Sequence, residues 1–198
     1  LMIQPDIGQS ILIAVVWFGQ WFLVGLSMIW VAVLGALGIA GVILSYFIFP
    51  HVESRIDRFL DPSVGDMYQV NRAFEAFTNG GLLGRGPGEG TVKTRLPDAH
   101  SDFIFAVIGE EFGLISCIVI LTIFAFIVIR GFVLALRDED LFVVIAVSGL
   151  LAQFGLQAFI NMASSLSLMP TKGMTLPFIS YGGSSIMAIA VTMCMVLG

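Results

Sequence analysis

Charged side chains are scarce in this sequence of 198 residues. They make up 12% of the chain, whereas hydrophobic residues make up 58% and the mean hydropathy is +0.99. Soluble domains carry about 25% charged residues, so the shortage excludes an ordinary soluble domain and indicates an integral membrane protein. The net charge of -5 gives no reason to expect a nucleic-acid partner.

Several other signatures are also missing. Cys117 and Cys194 both lie inside apolar runs, where cysteine behaves as a small buried hydrophobe and says nothing about redox compartment. His51 and His100 lack further ligands at metal-binding spacing, so no metal site is predicted from them. No basic segment precedes the first apolar run, so no signal peptide is predicted, and the start at Leu1 leads us to expect a fragment of a longer protein.

Long apolar runs fill most of the chain. No charged residue occurs between Asp6 and His51, and one helix of that length would measure about 60 Å, twice a bilayer core of about 30 Å. Two spans are therefore predicted there, and three more follow. The predicted spans are about 7-25, 28-49, 103-132, 141-166 and 183-198. The predicted fold class is an all-α, polytopic transmembrane helix bundle that forms a single membrane domain over 1-198.

One large polar loop, about 51-102, separates the second and third predicted spans. It holds six of the nine Lys and Arg residues. Apolar side chains recur within it at helical spacing and predict an amphipathic helix over about 66-78, either on the membrane surface or packed on the bundle. These side chains are Met67, Val70, Phe74 and Phe77.

A glycine-rich segment, Gly84 to Gly90, follows the amphipathic helix. Alternating glycines permit backbone N–H groups to converge on an anion, and Arg85 and Lys93 would add positive charge. A flexible turn explains the same residues. No Lys-Ser/Thr pair follows the glycines, which excludes a nucleotide-binding P-loop.

Asp102 ends the polar loop directly before a long apolar run. This carboxylate is either the N-cap of a helix that starts at Phe103 or a general base at the membrane interface. Glu110 and Glu111 follow inside the predicted span, where carboxylates are costly unless they are functional or paired. Because adjacent helical side chains point about 100° apart, we expect only one of the two to face a shared groove.

Counting the predicted spans places two polar segments that are distant in sequence on the same side of the membrane. One span leaves the loop that ends at Asp102 and the next returns, so Asp102 and Lys172 are expected on the same side of the membrane. One of the two glutamates would then pair with a cation such as Lys172, as substrate-binding group or as structural ion pair. The basic residues on this side outnumber Arg130 and Arg137 opposite, and that count alone favours the cytoplasm.

Four separated segments resemble one family, in the same order. They are Gln4 to Gly8, Gly80 to Gly90, Leu96 to Gly113 and Pro170 to Ser185. They are similar to signature segments of the SEDS family (shape, elongation, division and sporulation), over essentially the whole chain and closest to its cell-division members. Gln4 stands where the family has glutamate, and Ser101 where many members have threonine. The resemblance implies the C-terminal half of a protein of about ten helices.

The resemblance also implies an activity and a location. The activity is that of a peptidoglycan glycosyltransferase that polymerises lipid II at the division septum, in the bacterial inner membrane. The large loop would face the periplasm, contrary to the count of basic residues. The implied partners are lipid II, undecaprenyl-pyrophosphate-linked glycan, a class B penicillin-binding transpeptidase and other division proteins.

The implied reaction joins a sugar hydroxyl to an anomeric carbon whose leaving group is a lipid pyrophosphate. Such a group leaves readily, so one carboxylate can suffice as base, unlike the paired carboxylates of glycosidases. The resemblance assigns this role to Asp102. The predicted substrate-binding residues are Lys172, Arg85, Lys93, His100, Glu110 and Ser184. Ser184 either caps the last helix or lies where its N-terminus meets phosphate.

Cofactors and the rival function remain open at this point. No cofactor is predicted with certainty, and a divalent cation, Mg²⁺ or Mn²⁺, held by Asp102 and the pyrophosphate is the alternative. A transporter or flippase of the lipid-linked precursor would also explain carboxylates inside the membrane. Its key charge is expected near mid-membrane, whereas Asp102 is predicted at the interface. A purely scaffolding protein would leave Asp102 and Lys172 unexplained.

Overall fold

A computed structural model describes residues 7–25, 27–48, 68–92, 99–166, 168–169 and 173–197. Within these ranges the regular structure is entirely helical, as the sequence predicts. The helices are α1 (Ile7–Leu23), α2 (Met28–Ile48), α3 (Tyr68–Gly80), α4 (Ile104–Ala135), α5 (Leu141–Ser165) and α6 (Gly183–Leu197).

Three of these helices are long and apolar enough to cross a membrane. The mean hydropathy of their apolar windows is 2.4 in α2, 3.0 in α4 and 2.0 in α5, whereas α1 and α6 are shorter apolar helices. The chain is therefore an all-α, multi-pass membrane protein, as predicted. The bounds of α1, α2, α4, α5 and α6 lie within a few residues of the predicted spans; the limits of the spans themselves stay predictions.

The centre of the bundle is the α4–α5 pair, with α3 on α4 and with α1 and α6 on α5. Small residues let α4 and α5 approach closely, because a side chain at Gly131 would meet Leu151 and one at Gly155 would meet Val128. Phe124 stacks on Phe154 between them, with ring centroids 5.4 Å apart.

Helix α1 contacts α5 through a polar side chain. The amide nitrogen of Gln20 donates to the Ile145 carbonyl at 3.3 Å, in space that Gly149 leaves by having no side chain. An apolar cavity of about 740 Å³ lies between α1, α4 and α5. In α2, none of the described side chains is buried.

Helix α3 packs on α4 through small residues. Ala73 and Ala76 are fully buried and Phe77 is half-buried, whereas Phe74 is 60% exposed. Packing on the bundle is thus one of the two predicted placements, and placement on the membrane surface stays a prediction. Phe74, from the predicted apolar stripe, lies off the buried alanine face. Met67, from the same predicted stripe, lies outside the described residues.

Candidate active site

Helix α4 is broken at Gly113, one third of the way along its length. The backbone angles there, φ 79° and ψ 179°, are not helical and are open only to glycine. The glycine loop, residues 81–92, lies against this break. The N–H groups of Arg85 and Gly86 donate to the carbonyls of Glu110 and Glu111, both at 3.0 Å.

Hydrogen bonds also run from the helix to the loop. The N–H of Leu114 donates to the Gly81 carbonyl at 2.9 Å, and that of Ile115 donates to the Leu82 carbonyl at 3.3 Å. Backbone groups that a helix break leaves open inside a bundle must find partners within the protein. The glycine loop supplies those partners.

Missing side chains make this backbone docking possible. A Cβ at Gly84 would overlap the Glu111 carbonyl, and a Cβ at Gly80 would overlap the Gly109 carbonyl. Gly113 in turn faces the backbone of Leu82 and Gly84. The sequence interpretation offered an anion site or a flexible turn for these glycines; the structure shows that Gly80 and Gly84 are required for close backbone contact with α4.

The carboxylate of Glu110 holds the end of the glycine loop. Glu110 is fully buried, and its Oε1 accepts from the N–H of Thr91 at 3.0 Å. The N–H of Val92 lies 3.2 Å from Oε1 and 3.1 Å from Oε2. The Thr91 hydroxyl adds a fourth contact, at 3.3 Å from Oε1. The Glu110 carboxylate of α4 thus accepts the hydrogen bonds that the end of the glycine loop donates.

Glu111 approaches the same loop. A Cβ at Gly90 would lie 2.9 Å from Oε2 of Glu110 and 3.2 Å from Oε1 of Glu111. Carboxylate oxygens of both glutamates thus lie near the same glycine, and the expectation that only one of the two faces a shared groove stays a prediction. The predicted pairing of a glutamate with Lys172 is not tested, since Lys172 lies outside the described residues.

Arg85 is exposed and its guanidinium lies over the glycine loop. Its Nε donates to the Asn79 carbonyl at 3.3 Å, and Nη1 lies 3.4 Å from the Thr91 hydroxyl. The structure therefore brings Arg85 and Glu110 together through Thr91. Lys93 lies outside the described residues, directly after the loop.

Asp102 lies two residues before α4, in the turn that leads into the helix. The helix begins at Ile104 and Phe103 occupies the N-cap position, one residue after Asp102. The side chain of Asp102 is partly exposed. A Cβ built at Gly173 would lie 3.4 Å from its Oδ2 atom, which places the residue after Lys172 beside this carboxylate.

The second loop, residues 173–182, is fixed to the Asp102 segment by direct hydrogen bonds. The Ser180 hydroxyl donates to the Ser101 carbonyl at 2.6 Å and accepts from the N–H of Leu176 at 2.7 Å. The N–H of Tyr181 donates to the His100 carbonyl at 2.9 Å. The two polar segments that the span count predicted on one side therefore meet.

Polar side chains of α5 and α6 complete the attachment of the second loop. Gln157 donates to the Thr175 carbonyl at 3.0 Å, and the hydroxyls of Thr175 and Ser185 lie 2.7 Å apart. Asn161 donates to the carbonyls of Asp102 and Met174. Ser184, predicted to bind substrate, is exposed in the first turn of α6, after the position that a helix cap would occupy.

The predicted residues thus fall into two groups. Asp102 and His100 meet the second loop, whereas Arg85 and Glu110 belong to the glycine loop. One buried cluster joins the groups, because Val92 at the end of the glycine loop packs with Ala99 and Phe103. The predicted roles of all these residues, and those of Lys172 and Lys93, stay predictions.

Sequence analysis missed the amide contacts made by α5. The signal was present, since Gln157, Asn161 and Ser165 recur every four residues in an otherwise apolar span. Polar side chains at that spacing share one helix face, and in a membrane helix such a face points into the protein. Nothing in the sequence indicated which carbonyls they would bind.

Known proteins resemble the chain over its full length. The model of the FtsW/RodA/SpoVE family, described as cell cycle proteins, matches residues 1–198. A probable peptidoglycan glycosyltransferase FtsW of Caulobacter vibrioides is 47% identical over 197 residues, which cover 100% of this chain and 50% of that protein. Its counterpart in Polynucleobacter necessarius subsp. necessarius is 39% identical, with 100% and 49% covered.

A solved structure shows the same fold. One chain from a study of how a peptidoglycan synthase complex coordinates polymerization and crosslinking superposes with a TM-score of 0.78. It is 26% identical, and the match covers 100% of this chain and 56% of that chain. The present chain spans about half the length of the curated relatives it matches. Sequence and fold agree, and the chain belongs to the FtsW/RodA/SpoVE family of cell cycle proteins, the family that its four segments resemble.

Proposed function

We propose that this chain carries the catalytic site of a peptidoglycan glycosyltransferase that polymerises lipid II, with Asp102 as the general base. The observation that carries the proposal is the meeting of Asp102 with the second loop, where Gly173 lies beside the carboxylate. A partly exposed carboxylate at the end of a membrane helix can accept a proton while the lipid parts of its substrates stay in the bilayer. The printed names of the relatives support the activity.

In the proposed reaction a hydroxyl of one sugar attacks the anomeric carbon of another. The new carbon–oxygen bond forms as the bond from the anomeric carbon to the lipid pyrophosphate breaks, and the hydroxyl proton passes to the Asp102 carboxylate. The pyrophosphate leaves with the bonding electron pair, so its negative charge must be stabilised. Lys172, Arg85 and Lys93 are the proposed cations for that task.

The remaining predicted residues have supporting roles in the proposal. His100 lies two residues before the base and is exposed, so its imidazole can contact a sugar. Ser184 is exposed in the first turn of α6, where N–H groups of a helix start favour phosphate. Glu110 is buried against the glycine loop, and we propose that it acts on substrate through the loop position.

A divalent cation fits the site only with help from the substrate. Among the described residues no three His, Cys, Asp or Glu side chains cluster as a metal site would require. Mg²⁺ usually takes one or two carboxylates together with phosphate oxygens, so Asp102 and the pyrophosphate would hold Mg²⁺ or Mn²⁺ between them. Such an ion would neutralise charge on the leaving group.

We also propose where the protein works and with what. Asp102 and the second loop would face the periplasm and Arg137 the cytoplasm, at the division septum. The proposed partner is a class B penicillin-binding transpeptidase, acting with other division proteins. Support comes from the similar solved structure, which is a peptidoglycan synthase complex.

The alternative is a transporter or flippase of the lipid-linked precursor, and the broken helix α4 favours it. Discontinuous helices are typical of secondary transporters, whose binding sites lie near mid-membrane. Against it, Asp102 precedes α4, and the buried Glu110 is occupied by the N–H groups of the glycine loop.

The test compares two aspartates that precede helices in the full-length protein. Asp140 is a true N-cap, since its carboxylate accepts from the Phe142 N–H at 2.8 Å. Asparagine caps as well as aspartate but cannot act as a base, so Asp140→Asn should leave polymerisation of labelled lipid II unchanged in detergent. Asp102→Asn should lower its rate by about 100-fold or more, with folding and lipid II binding retained.

Two results would contradict this proposal. Near-normal polymerisation by Asp102→Asn protein would remove the base assignment. Transbilayer movement of labelled lipid II in vesicles, without polymer formation by the wild-type protein, would favour the transporter.

A further inference from the structure

Helix α5 buries a row of polar side chains beside the two loops. Gln157, Asn161, Ser164 and Ser165 are all buried. The two serine hydroxyls bond to the Asn161 carbonyl within their own helix, at 2.9 and 3.0 Å. The amides of Gln157 and Asn161 bond to carbonyls outside the helix, so these two side chains connect α5 to neighbouring segments.

The Asn161 amide joins three parts of the chain. Its Nδ2 donates to the carbonyl of Asp102 at 2.9 Å, across 59 residues of sequence, and to the carbonyl of Met174. One NH₂ group thereby uses both of its hydrogens to hold the backbone of the proposed base and the backbone of the second loop. Gly173, the neighbour of Met174, is the residue beside the Asp102 carboxylate.

The oxygen of the same amide indicates which part of the Asn161 side chain matters at this position. Oδ1 of Asn161 is buried and has no hydrogen-bond partner among the described residues. A buried polar atom left unpaired is destabilising, so an apolar side chain would suit packing better. The two donor hydrogens are what asparagine contributes here, and neither aspartate nor leucine supplies them.

We propose that Asn161 is a positioning residue for the reaction, which holds Asp102 and the second loop at a fixed separation. The inference rests on the proposed function, since it concerns the placing of the base. Asn161 touches the Asp102 backbone and not its carboxylate in the bonds described, so it acts through Asp102. A displacement of about 1 Å at a catalytic group can cost about 100-fold in rate, so the loss of the two Asn161 hydrogen bonds should lower the rate measurably.

Gln157 provides a matched control, one helical turn earlier on the same face. It also ties α5 to the second loop, through the Thr175 carbonyl at 3.0 Å, but has no described bond to Asp102. Replacement of either amide by the isosteric acid removes the donors and places carboxylate oxygens against carbonyl oxygens. Only the Asn161 replacement releases the Asp102 backbone.

The experiment measures kcat and KM for lipid II polymerisation by the full-length protein, with thermal unfolding in detergent. Asn161→Asp is expected to lower kcat by about 10- to 100-fold and to change KM by less than about 3-fold, because positioning affects the transition state more than binding. Gln157→Glu, which frees the second loop but not the Asp102 backbone, should lower the unfolding temperature comparably and lower kcat by a factor at least about 5 times smaller than Asn161→Asp does. Equal losses of kcat in the two variants, or normal kcat in Asn161→Asp, would overturn the proposal.

A double-mutant cycle keeps the proposal testable if Asn161→Asp does not fold. Asn161→Ala removes the donors without adding charge, and it should lower the wild-type rate by about 10-fold or more. In the Asp102→Asn background the same change should lower the residual rate by less than about 3-fold, because the group it positions is already absent. An equal factor in both backgrounds would overturn the inference. An active Asp102→Asn protein would instead overturn the proposed base, whatever the Asn161 variants do.

Discussion

Two loops meet at the start of α4, and they are attached by different means. The glycine loop is held by backbone groups, through Arg85, Gly86 and the helix break at Gly113. The second loop is held by side chains, among them Asn161, Gln157 and Ser180. The glycine loop can approach α4 closely because Gly80, Gly84 and Gly113 have no side chains. The second loop depends instead on polar side-chain atoms. We therefore expect glycine-to-alanine substitutions to destabilise the glycine loop, and the loss of single hydrogen-bonding side chains to destabilise the second loop.

The largest effect is expected where a methyl group would enter the docked backbone. Gly84→Ala in the full-length protein should lower the free energy of unfolding by about 3 kcal/mol or more, because the new Cβ would overlap the Glu111 carbonyl and cannot move aside. Gly88 is the control, since its φ of 84° matches the 81° of Gly84 but a Cβ there meets open space. Gly88→Ala should cost about 1 kcal/mol, from backbone conformation alone.

Thermal or denaturant unfolding in detergent measures both variants. The difference between them isolates the contact between loop and helix from the conformational cost. Similar destabilisation by Gly84→Ala and Gly88→Ala would mean that the glycine loop is not docked on α4 as described.

A smaller effect is expected from Glu110, whose side chain adds to the backbone attachment of the glycine loop. Glu110→Gln leaves one acceptor oxygen and turns an NH₂ group toward backbone donors, so the free energy of unfolding should fall by about 1–3 kcal/mol. Glu75→Gln is the control, because Glu75 pairs with Arg72 on the surface of α3, and its side chain is 43% exposed.

Loss of that surface pair should change the free energy by no more than about 0.5 kcal/mol. The same unfolding measurement applies. A Glu110→Gln protein as stable as the Glu75→Gln protein would show that the carboxylate does not hold the loop.

The smallest of the three effects concerns the second loop. Ser180→Ala leaves the Ser101 carbonyl and the Leu176 N–H without their hydroxyl partner, and should cost about 1–2 kcal/mol. Ser116→Ala is the control, since its hydroxyl bonds to the Phe112 carbonyl within α4, and its loss should lower the free energy of unfolding by less than about 0.5 kcal/mol. Equal stability of the two variants would remove Ser180 from the attachment of the second loop.

Helices and their order could be predicted from the sequence because each is encoded locally. The absence of charge between Asp6 and His51, and the apolar run after Asp102, mark helices without knowledge of their partners. Counting spans also predicted Asp102 and Lys172 on one side of the membrane, although it did not predict contact between the Asp102 segment and the second loop. These features need only hydropathy and chain direction.

The docking of the glycine loop could not be predicted in this way. Gly84 and Gly113 contact each other's backbones across a separation in sequence that leaves no periodic signal, and glycine is equally common in turns. Nor could the burial of Ala73 and Ala76 in α3 be predicted, since hydropathy ranks phenylalanine above alanine. The role of Asn161 could not be predicted because the polar face of α5 does not show which acceptors its amide meets.

The break in α4 exchanges hydrogen bonds within the helix for a larger number with the glycine loop. In an unbroken helix the N–H of Leu114 would bond to the carbonyl of Glu110, and that of Ile115 to the carbonyl of Glu111, which is two bonds. In the structure the same four groups make four bonds, all with the glycine loop. A docked glycine loop and a continuous α4 therefore exclude each other, because both would use the same atoms. The two halves of α4 could straighten only if the loop were released, so the placement of the segment that carries Asp102 and Glu110 depends on the docking of the loop.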